Sequence, residues 1–306
     1  MILTASIGRI LTAICLAAAL SARAEPSALR GENVYARACA ACHGYQGDGK
    51  GAAAPNLDPR PRDFTTGMFK FRTTPSGELP TDADLLRIVE AGIPGSQMPG
   101  WKRLLSKSER EDVVAYLKTF SADFKDGAPP AIDIPAAPAA TERSIAEGKM
   151  VYMLMECWAC HGGRGKGDGK SVRTLEDDAG RRIPAWDLRS ARYKAGNDPE
   201  TLYRTFTTGL NGTPMPAYAL DGFLIAGDAK VDPAKYQEAY QAADIDALRA
   251  WLRTQPVEGD LQRMNPEQRG VLGERRKWAL VHYCRSLVRH PNFLIRMFTE
   301  NTEYTR

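Results

Sequence analysis

The pattern Cys-x-x-Cys-His occurs twice in this chain, and it constrains the fold more than any other feature. Residues 39–43 read CAACH and residues 157–161 read CWACH, so the two copies lie 118 residues apart. This spacing places the two thiols of each pair about one helical turn apart, with a histidine directly after the second thiol. The two copies use four of the six cysteines and two of the four histidines. Both copies therefore predict a site that binds a prosthetic group or a metal.

In an exported chain this pattern predicts covalent attachment of c-type haem. Each pair of thiols would bond to the two vinyl groups of one porphyrin, and the histidine would then bind the iron from the same side. A disulfide within each pair, or one zinc site shared by all four cysteines, would leave the histidine after both pairs unexplained. The predicted attachment residues are Cys39, Cys42, Cys157 and Cys160, and the predicted proximal iron ligands are His43 and His161.

The repeat extends well beyond the cysteines. Upstream of each pattern the sequence reads Gly-x-x-Val-Tyr, beginning at Gly31 and at Gly148. A fixed period of this kind indicates duplicated units, and a length of 306 residues agrees with two domains of about 150 residues each. Five downstream residues recur 117 positions later: Leu85, Gly92, Gly95, Met98 and Pro99 correspond to Leu202, Gly209, Gly212, Met215 and Pro216.

Helix signals occupy equivalent positions in the two copies. Thr81 predicts the N-cap of a helix that ends at Gly92. Asp198, followed by proline, predicts the start of a helix that ends at Gly209. No segment has the alternating pattern of a convincing strand, so the sequence predicts an all-α fold.

The two copies differ most in how they close. Residues 106–120 have the apolar spacing of a closing helix for the first copy. For the second copy, residues 278–288 fit better than residues 244–252, and we expect them to pack on the helix that leads into the second CxxCH. Residues 217–270 are then an insertion with helices of its own.

Residues 1–24 have the composition of a secretory signal. Arg9 precedes an apolar stretch of 11 residues, which is followed by Ser-Ala-Arg-Ala. The stretch is shorter than the roughly 20 residues of a membrane span, although an uncleaved N-terminal anchor is an alternative. No later stretch is apolar enough to cross a membrane. We therefore expect cleavage near Glu25 and a periplasmic location.

The predicted organisation follows from these signals together with a linker that is rich in proline and alanine. A formal net charge of +4 gives no sign of nucleic-acid binding. The expected order is a signal peptide at 1–24, a first domain at 25–126, the linker at 127–140, a second domain at 141–290 with its insertion, and a tail at 291–306.

With these motifs the chain resembles class I c-type cytochromes, specifically two-domain dihaem periplasmic ones, over most of residues 28–120 and 145–290. The likeness rests on Gly-x-x-Val-Tyr before each CxxCH, on the GDGK loops at 47–50 and 167–170, and on the Met-Pro pairs. The resemblance implies two tandem class I cytochrome c domains, each a small helical fold around one covalently bound haem c. It also implies that a methionine holds the iron opposite the histidine.

Transferred to this sequence, the family pattern makes Met98 and Met215 the distal iron ligands, with Met68 and Met264 as the alternatives. In the family a proline carbonyl accepts the ring N–H of the proximal histidine. Pro55 matches that proline in the first copy, and the second copy has no clear equivalent.

The resemblance implies an electron carrier between redox proteins, such as a periplasmic dehydrogenase, reductase or oxidase, and no catalytic residue. A haem subunit of a larger oxidoreductase and a dihaem peroxidase are the alternatives. A peroxidase needs histidines beyond the CxxCH motifs, and only His282 and His290 are left for that role. We expect both of these histidines to be surface or packing residues and Cys284 to be a small buried apolar residue.

Overall fold

The computed structural model describes residues 25–289, so the predicted signal peptide, His290 and the tail lie outside the described residues. Within them the regular structure is helical, apart from an isolated bridge between Glu176 and Arg182. The predicted all-α fold is confirmed. A helix both long and apolar enough to cross a membrane does not occur in residues 25–289.

Each domain is built from four helices in the same order. The helices of the first domain are α1 (Ala28–Ala38), α2 (Ala40–His43), α3 (Asp82–Ala91) and α4 (Lys107–Leu117). Those of the second domain are α5 (Glu142–Leu154), α6 (Trp158–His161), α7 (Pro199–Thr208) and, after the insertion, α11 (Pro266–Ser286).

The predicted helix ends are confirmed. Thr81 caps α3 in a reciprocal arrangement with Asp84, and Gly92 follows its last residue with a φ of 69°. Asp198 caps α7 by accepting a hydrogen bond from the Thr201 amide, and Gly209 follows with a φ of 64°. Glycine adopts this left-handed backbone without the strain that a Cβ would cause.

The first and last helices of each domain cross at a glycine. A Cβ built at Gly31 would lie 2.0 Å from the Asp112 carbonyl oxygen on α4. A Cβ built at Gly148 would lie 1.9 Å from the Ala279 carbonyl oxygen on α11. The predicted packing of residues 278–288 on the helix before the second CxxCH is therefore confirmed, and the glycine of Gly-x-x-Val-Tyr is explained by this close approach.

The insertion in the second domain forms helices that pack onto the domain's core. They are α8 (Pro233–Tyr236), α9 (Ala242–Leu252) and α10 (Glu258–Arg263). Leu248 of α9 is fully buried, and the rings of Tyr236 and Tyr240 lie about 6 Å from that of Trp158. The closing helix α11 begins twelve residues before the predicted segment. Its start is set by Asn265, which caps the helix, and by the proline that follows.

The linker at 127–140 has no regular structure and contacts both domains. The amide of Ile132 donates to the carbonyl of Thr73 in the first domain over 2.8 Å. At its other end, the carbonyl oxygen of Pro138 lies 3.1 Å from Nε2 of His282 in α11. These contacts fix the extended linker against each domain.

The domains also contact each other directly, through Arg72, which contacts the end of α7, and through the loops that follow α3 and α7. Arg72 of the first domain donates to the carbonyl of Thr208 over 2.8 Å. A Cβ built at Gly95 would lie 2.7 Å from the ring of Trp186, and one built at the equivalent Gly212 would lie 3.5 Å from Nη1 of Arg62. The loop of each domain therefore packs on the other domain in a nearly symmetric way.

Candidate haem-binding sites

The two CxxCH motifs adopt the same short helix. The amide of His43 donates to the carbonyl of Cys39 over 2.9 Å, and that of His161 donates to Cys157 over 2.8 Å. All four motif cysteines carry free thiols, so neither pair forms a disulfide. A cluster of three or more histidine, cysteine or acidic side chains suited to a metal ion is absent from residues 25–289. This arrangement gives the shared-zinc alternative no support.

The tyrosine of each Gly-x-x-Val-Tyr motif anchors the end of the CxxCH helix. The hydroxyl of Tyr35 donates to the carbonyl of Gly44 over 2.8 Å, and that of Tyr152 donates to Gly162 over 2.7 Å. Both tyrosines are almost completely buried. The tyrosine before each CxxCH motif therefore has a structural cause, because through this hydrogen bond the long helix holds the haem-binding turn, even though the second copy has one more residue between the two motifs.

The ring nitrogen Nδ1 of each motif histidine faces a backbone carbonyl. For His43 the partner is Arg62, and for His161 it is Trp186, both at 3.0 Å. When Nδ1–H donates to this carbonyl, Nε2 is left unprotonated for a metal. Burial lowers the pKa of both imidazoles, which favours the same neutral form.

The assignment of Pro55 as the carbonyl partner was wrong. Pro55 lies exposed in a short 3₁₀ helix, Ala54–Asn56, and the chain reaches the histidine seven residues later. The equivalence of Arg62 and Trp186 is shown by their neighbours, since Phe64 and Leu188 donate to Gly47 and Gly165 over 2.7 Å. The second loop is six residues longer, which hid the match in the sequence.

Met98 and Met215 lie in loops with the same hydrogen bonds. The carbonyl of Met98 accepts from Ile93 over 3.0 Å, and that of Met215 accepts from Leu210 over 3.1 Å. The amide of each methionine donates over 3.2 Å to a hydroxyl two residues earlier, from a serine in one copy and a threonine in the other. Both side chains are half-buried. The two loops therefore present their methionines in the same way.

The alternative methionines occupy other places. A Cβ built at Gly212 would lie 3.9 Å from Cε of Met68, which places this methionine at the contact between the domains. Met264 follows helix α10 in the insertion. Neither position carries a methionine in the other domain, since the residue equivalent to Met68 is Arg192 and Met264 lies in the insertion.

Several cationic side chains lie at the contact between the domains, and two of them occupy equivalent positions in the two domains. Burial lowers the pKa of Lys70 to about 8, and it lowers the pKa of Lys194 and Arg62 as well. Lys70 and Lys194 are equivalent, because both lie eight residues after the carbonyl partner of the histidine. Asp177 partly offsets the charges of Lys70 and Arg62, and Asp58 partly offsets that of Lys194. Because the pKa values stay lowered, further anions at this contact would stabilise the cluster.

Buried donors without a hydrogen-bond partner lie in the same region. They include Nη1 of Arg72, Nε1 of Trp186 and Nε of Arg204. Buried polar groups normally have partners, so such atoms point to a missing acceptor. Haem carries two propionate carboxylates, which are anionic acceptors of this kind. The residues present therefore fit two haem groups.

The cationic loop after the second CxxCH lines a cavity of about 540 Å³ beside Trp158. Arg164, Lys166 and Lys170 all contribute to it, and Glu238 pairs with Lys170 at 2.9 Å. Because at least one of these charges is already paired, the loop is only partly available to an acidic partner.

The fold and the paired sites define a dihaem c-type cytochrome. Residues 26–117 match the family described as cytochrome c oxidase, cbb3-type, subunit III, and residues 145–256 match the cytochrome c family. Together with the relatives below, these matches show that the chain belongs to the c-type cytochromes and contains two cytochrome c domains. Such domains imply covalent haem c.

A solved relative covers almost the whole molecule. It is a chain of the Kuenenia stuttgartiensis reducing HAO-like protein complex, 37% identical to this chain, with a TM-score of 0.65. The match covers 85% of this chain and 96% of that chain. This likeness extends to the tandem arrangement of the domains.

A curated relative is the cbb3-type cytochrome c oxidase subunit CcoP of Azospirillum sp. (strain B510), 27% identical over 191 residues. The match covers 62% of this chain and 55% of the relative. The chain thus spans about half the length of this relative.

Proposed function

We propose that this chain is a periplasmic electron-transfer protein that carries two covalent haems and passes electrons between a donor and an acceptor protein. The proposal rests mainly on one observation: each domain contains a histidine whose Nδ1 faces a backbone carbonyl, together with a loop that presents a methionine. His43 and Met98 would hold one haem iron, and His161 and Met215 would hold the other, so neither iron would be left open to a substrate. Haem supplies reversible one-electron chemistry at each site, and His/Met ligation favours its reduced form.

The chain's own residues hold each site and bring the two sites together. The carbonyls of Arg62 and Trp186 would orient the proximal histidines. Gly95 packs on Trp186 and Gly212 packs near Arg62, so the methionine loop of one domain touches the histidine support of the other. This arrangement favours electron exchange between the two sites within one molecule.

Replacing Met98 by histidine should change one haem and leave the other intact. The weak sulfur-to-iron charge-transfer band of the oxidised protein should lose about half its intensity, because one of two thioether ligands is gone. One reduction potential should fall, since imidazole favours ferrous iron less than a thioether does. Visible spectroscopy with a redox titration measures both effects. An unchanged band and titration would show that Met98 is not a ligand.

A dihaem peroxidase is the competing enzyme class, and peroxide separates it from a carrier. His282 is already engaged, since Nδ1 lies 2.8 Å from Oγ of Ser144 and Nε2 lies 3.1 Å from the Pro138 carbonyl. Because a histidine and a methionine would fill both ligand positions of each iron, the reduced protein should exchange electrons rapidly with a second cytochrome, yet react only slowly with hydrogen peroxide. Stopped-flow absorbance measures both reactions. Oxidation by peroxide at enzymatic rates, about 10 s⁻¹ or faster, would favour the peroxidase.

A haem subunit of a larger oxidoreductase is the second candidate. It is favoured by the two relatives, since one is named as an oxidase subunit and the other as a chain of a protein complex. Size-exclusion chromatography of the native protein from its source separates the two cases. A free carrier should elute as a small species, whereas a subunit should co-elute with a larger partner.

A further inference from the structure

One buried position differs in charge between the two domains. The crossing of α1 with α4 matches that of α5 with α11, because Gly31 and Gly148 meet Asp112 and Ala279 in the same way. This equivalence aligns each residue of α4 with the residue 167 positions later in α11. Arg110 of the first domain thus corresponds to Lys277 of the second.

In the first domain the buried cation is neutralised. Arg110 is 7% exposed, and its guanidinium forms an ion pair with Glu90 at 2.9 Å. It also donates to the carbonyls of Lys102 and Leu105. The net charge of this pair is zero.

In the second domain the carboxylate is missing. The residue equivalent to Glu90, by the spacing of 117, is Thr207. Lys277 is 1% exposed, and its ammonium donates to Oγ1 of Thr207 over 3.0 Å and to the carbonyl of Tyr218 over 3.1 Å. The rings of Tyr203 and Phe223 also lie beside the ammonium, with centroids 5.0 and 5.1 Å away.

The positive charge is retained, and within residues 25–289 no carboxylate forms an ion pair with it. Burial lowers the pKa of Lys277 to about 8, partly opposed by the charge of Glu274, so the ammonium stays mostly protonated at neutral pH. Within the described residues, Glu274 and Lys277 form no ion pair. The adjacent Arg276 is also fully buried, and in the part of the chain that the structure describes it donates to uncharged oxygens, on Phe223, Ile225 and Gln255.

Lys277 lies next to the segment that follows Met215. Its acceptor Tyr218 comes three residues after Met215 and donates its amide to Phe206 over 2.8 Å. The ammonium is therefore hydrogen-bonded to the same stretch of chain that carries Met215.

We propose that Lys277 raises the reduction potential of the haem in the second domain. It does so through its buried positive charge, which has no ion-pair partner within the described residues and lies beside the Met215 loop. The inference rests on the proposed haem sites. Reduction adds an electron to the iron, and a buried cation stabilises that added negative charge more than it would in water. The first domain lacks this effect because Glu90 cancels its cation.

The test is a redox titration of the complete dihaem protein carrying Lys277→Met. Methionine has a similar length and no charge. The reduction equilibrium constant of the second haem should fall about tenfold, which is about 59 mV for one electron. The first haem should keep its potential. The shift caused by Met98→His identifies which of the two titration steps belongs to the first domain.

Two further variants make the test decisive. Thr207→Glu keeps the ammonium and restores the missing carboxylate, so it should also lower the potential of the second haem. Glu90→Thr should raise the potential of the first haem, because it reproduces the arrangement of the second domain. If Lys277→Met fails to fold, Thr207→Glu decides alone. An unchanged second potential in proteins that keep both haems would overturn the inference, whereas a wild-type protein without a second haem would overturn the proposed sites instead.

Discussion

A protein carrying Cys39→Ala together with Cys42→Ala should lose one of its two covalent haems completely. The two thioether bonds are the only covalent links expected between the first haem and the chain. Without them, acid–acetone should extract that haem even if His43 still binds it. Intact mass and haem absorbance after extraction should therefore show one haem per chain, compared with two in the wild type.

Cys284 provides the matched control for this experiment. It is a free cysteine, 2% exposed, on a helix of the second domain core and outside both CxxCH motifs. Cys284→Ala should keep both covalent haems, although it leaves a small cavity. If the double variant still carried two haems, or the wild type carried fewer than two, the assignment of the attachment residues would be wrong.

The sequence predicted those parts of the fold that depend on local signals or on the repeat. The caps at Thr81 and Asp198 are local, since each side chain bonds an amide three residues away. The pairing of α11 with α5 follows from the repeat, because the first domain has the same pair. The methionine loops were also predicted from the repeat. The hydrogen bonds that the two loops share explain why each methionine follows its preceding helix at the same distance along the chain.

The sequence could not predict contacts made across variable loops. The carbonyl partner of each motif histidine lies at a different distance along the chain, so a fixed spacing led to Pro55. A usable signal was the aspartate that follows each partner, Asp63 and Asp187, before an apolar residue. The hydrogen bond between Lys277 and Thr207 could be predicted only by aligning α4 with α11. The insertion between α7 and α11 hides that alignment in the sequence.

The second large effect that we expect is the destabilisation caused by Gly148→Ala, because this glycine lies where α5 crosses α11. The new Cβ would lie 1.9 Å from the Ala279 carbonyl oxygen and 2.5 Å from its carbon. Both atoms belong to the backbone of a helix, so no side-chain rotation can relieve the clash. The two helices must move apart in the most buried part of the domain, around Val151 and Val281.

We expect Gly148→Ala to destabilise the second domain by about 3 kcal/mol or more, the upper part of the range for overpacked cores. The control is Gly270→Ala, on the same helix α11, where a Cβ would meet nothing within 4 Å. That change should be neutral or stabilising by up to about 1 kcal/mol, because alanine favours a helix more than glycine does. Thermal unfolding followed by circular dichroism measures both. Equal unfolding midpoints for Gly148→Ala and the wild type would mean that the helices do not cross at this glycine. A lower midpoint for Gly148→Ala alone would show that one methyl group, placed between two backbones, decides whether α5 can hold the haem-binding turn.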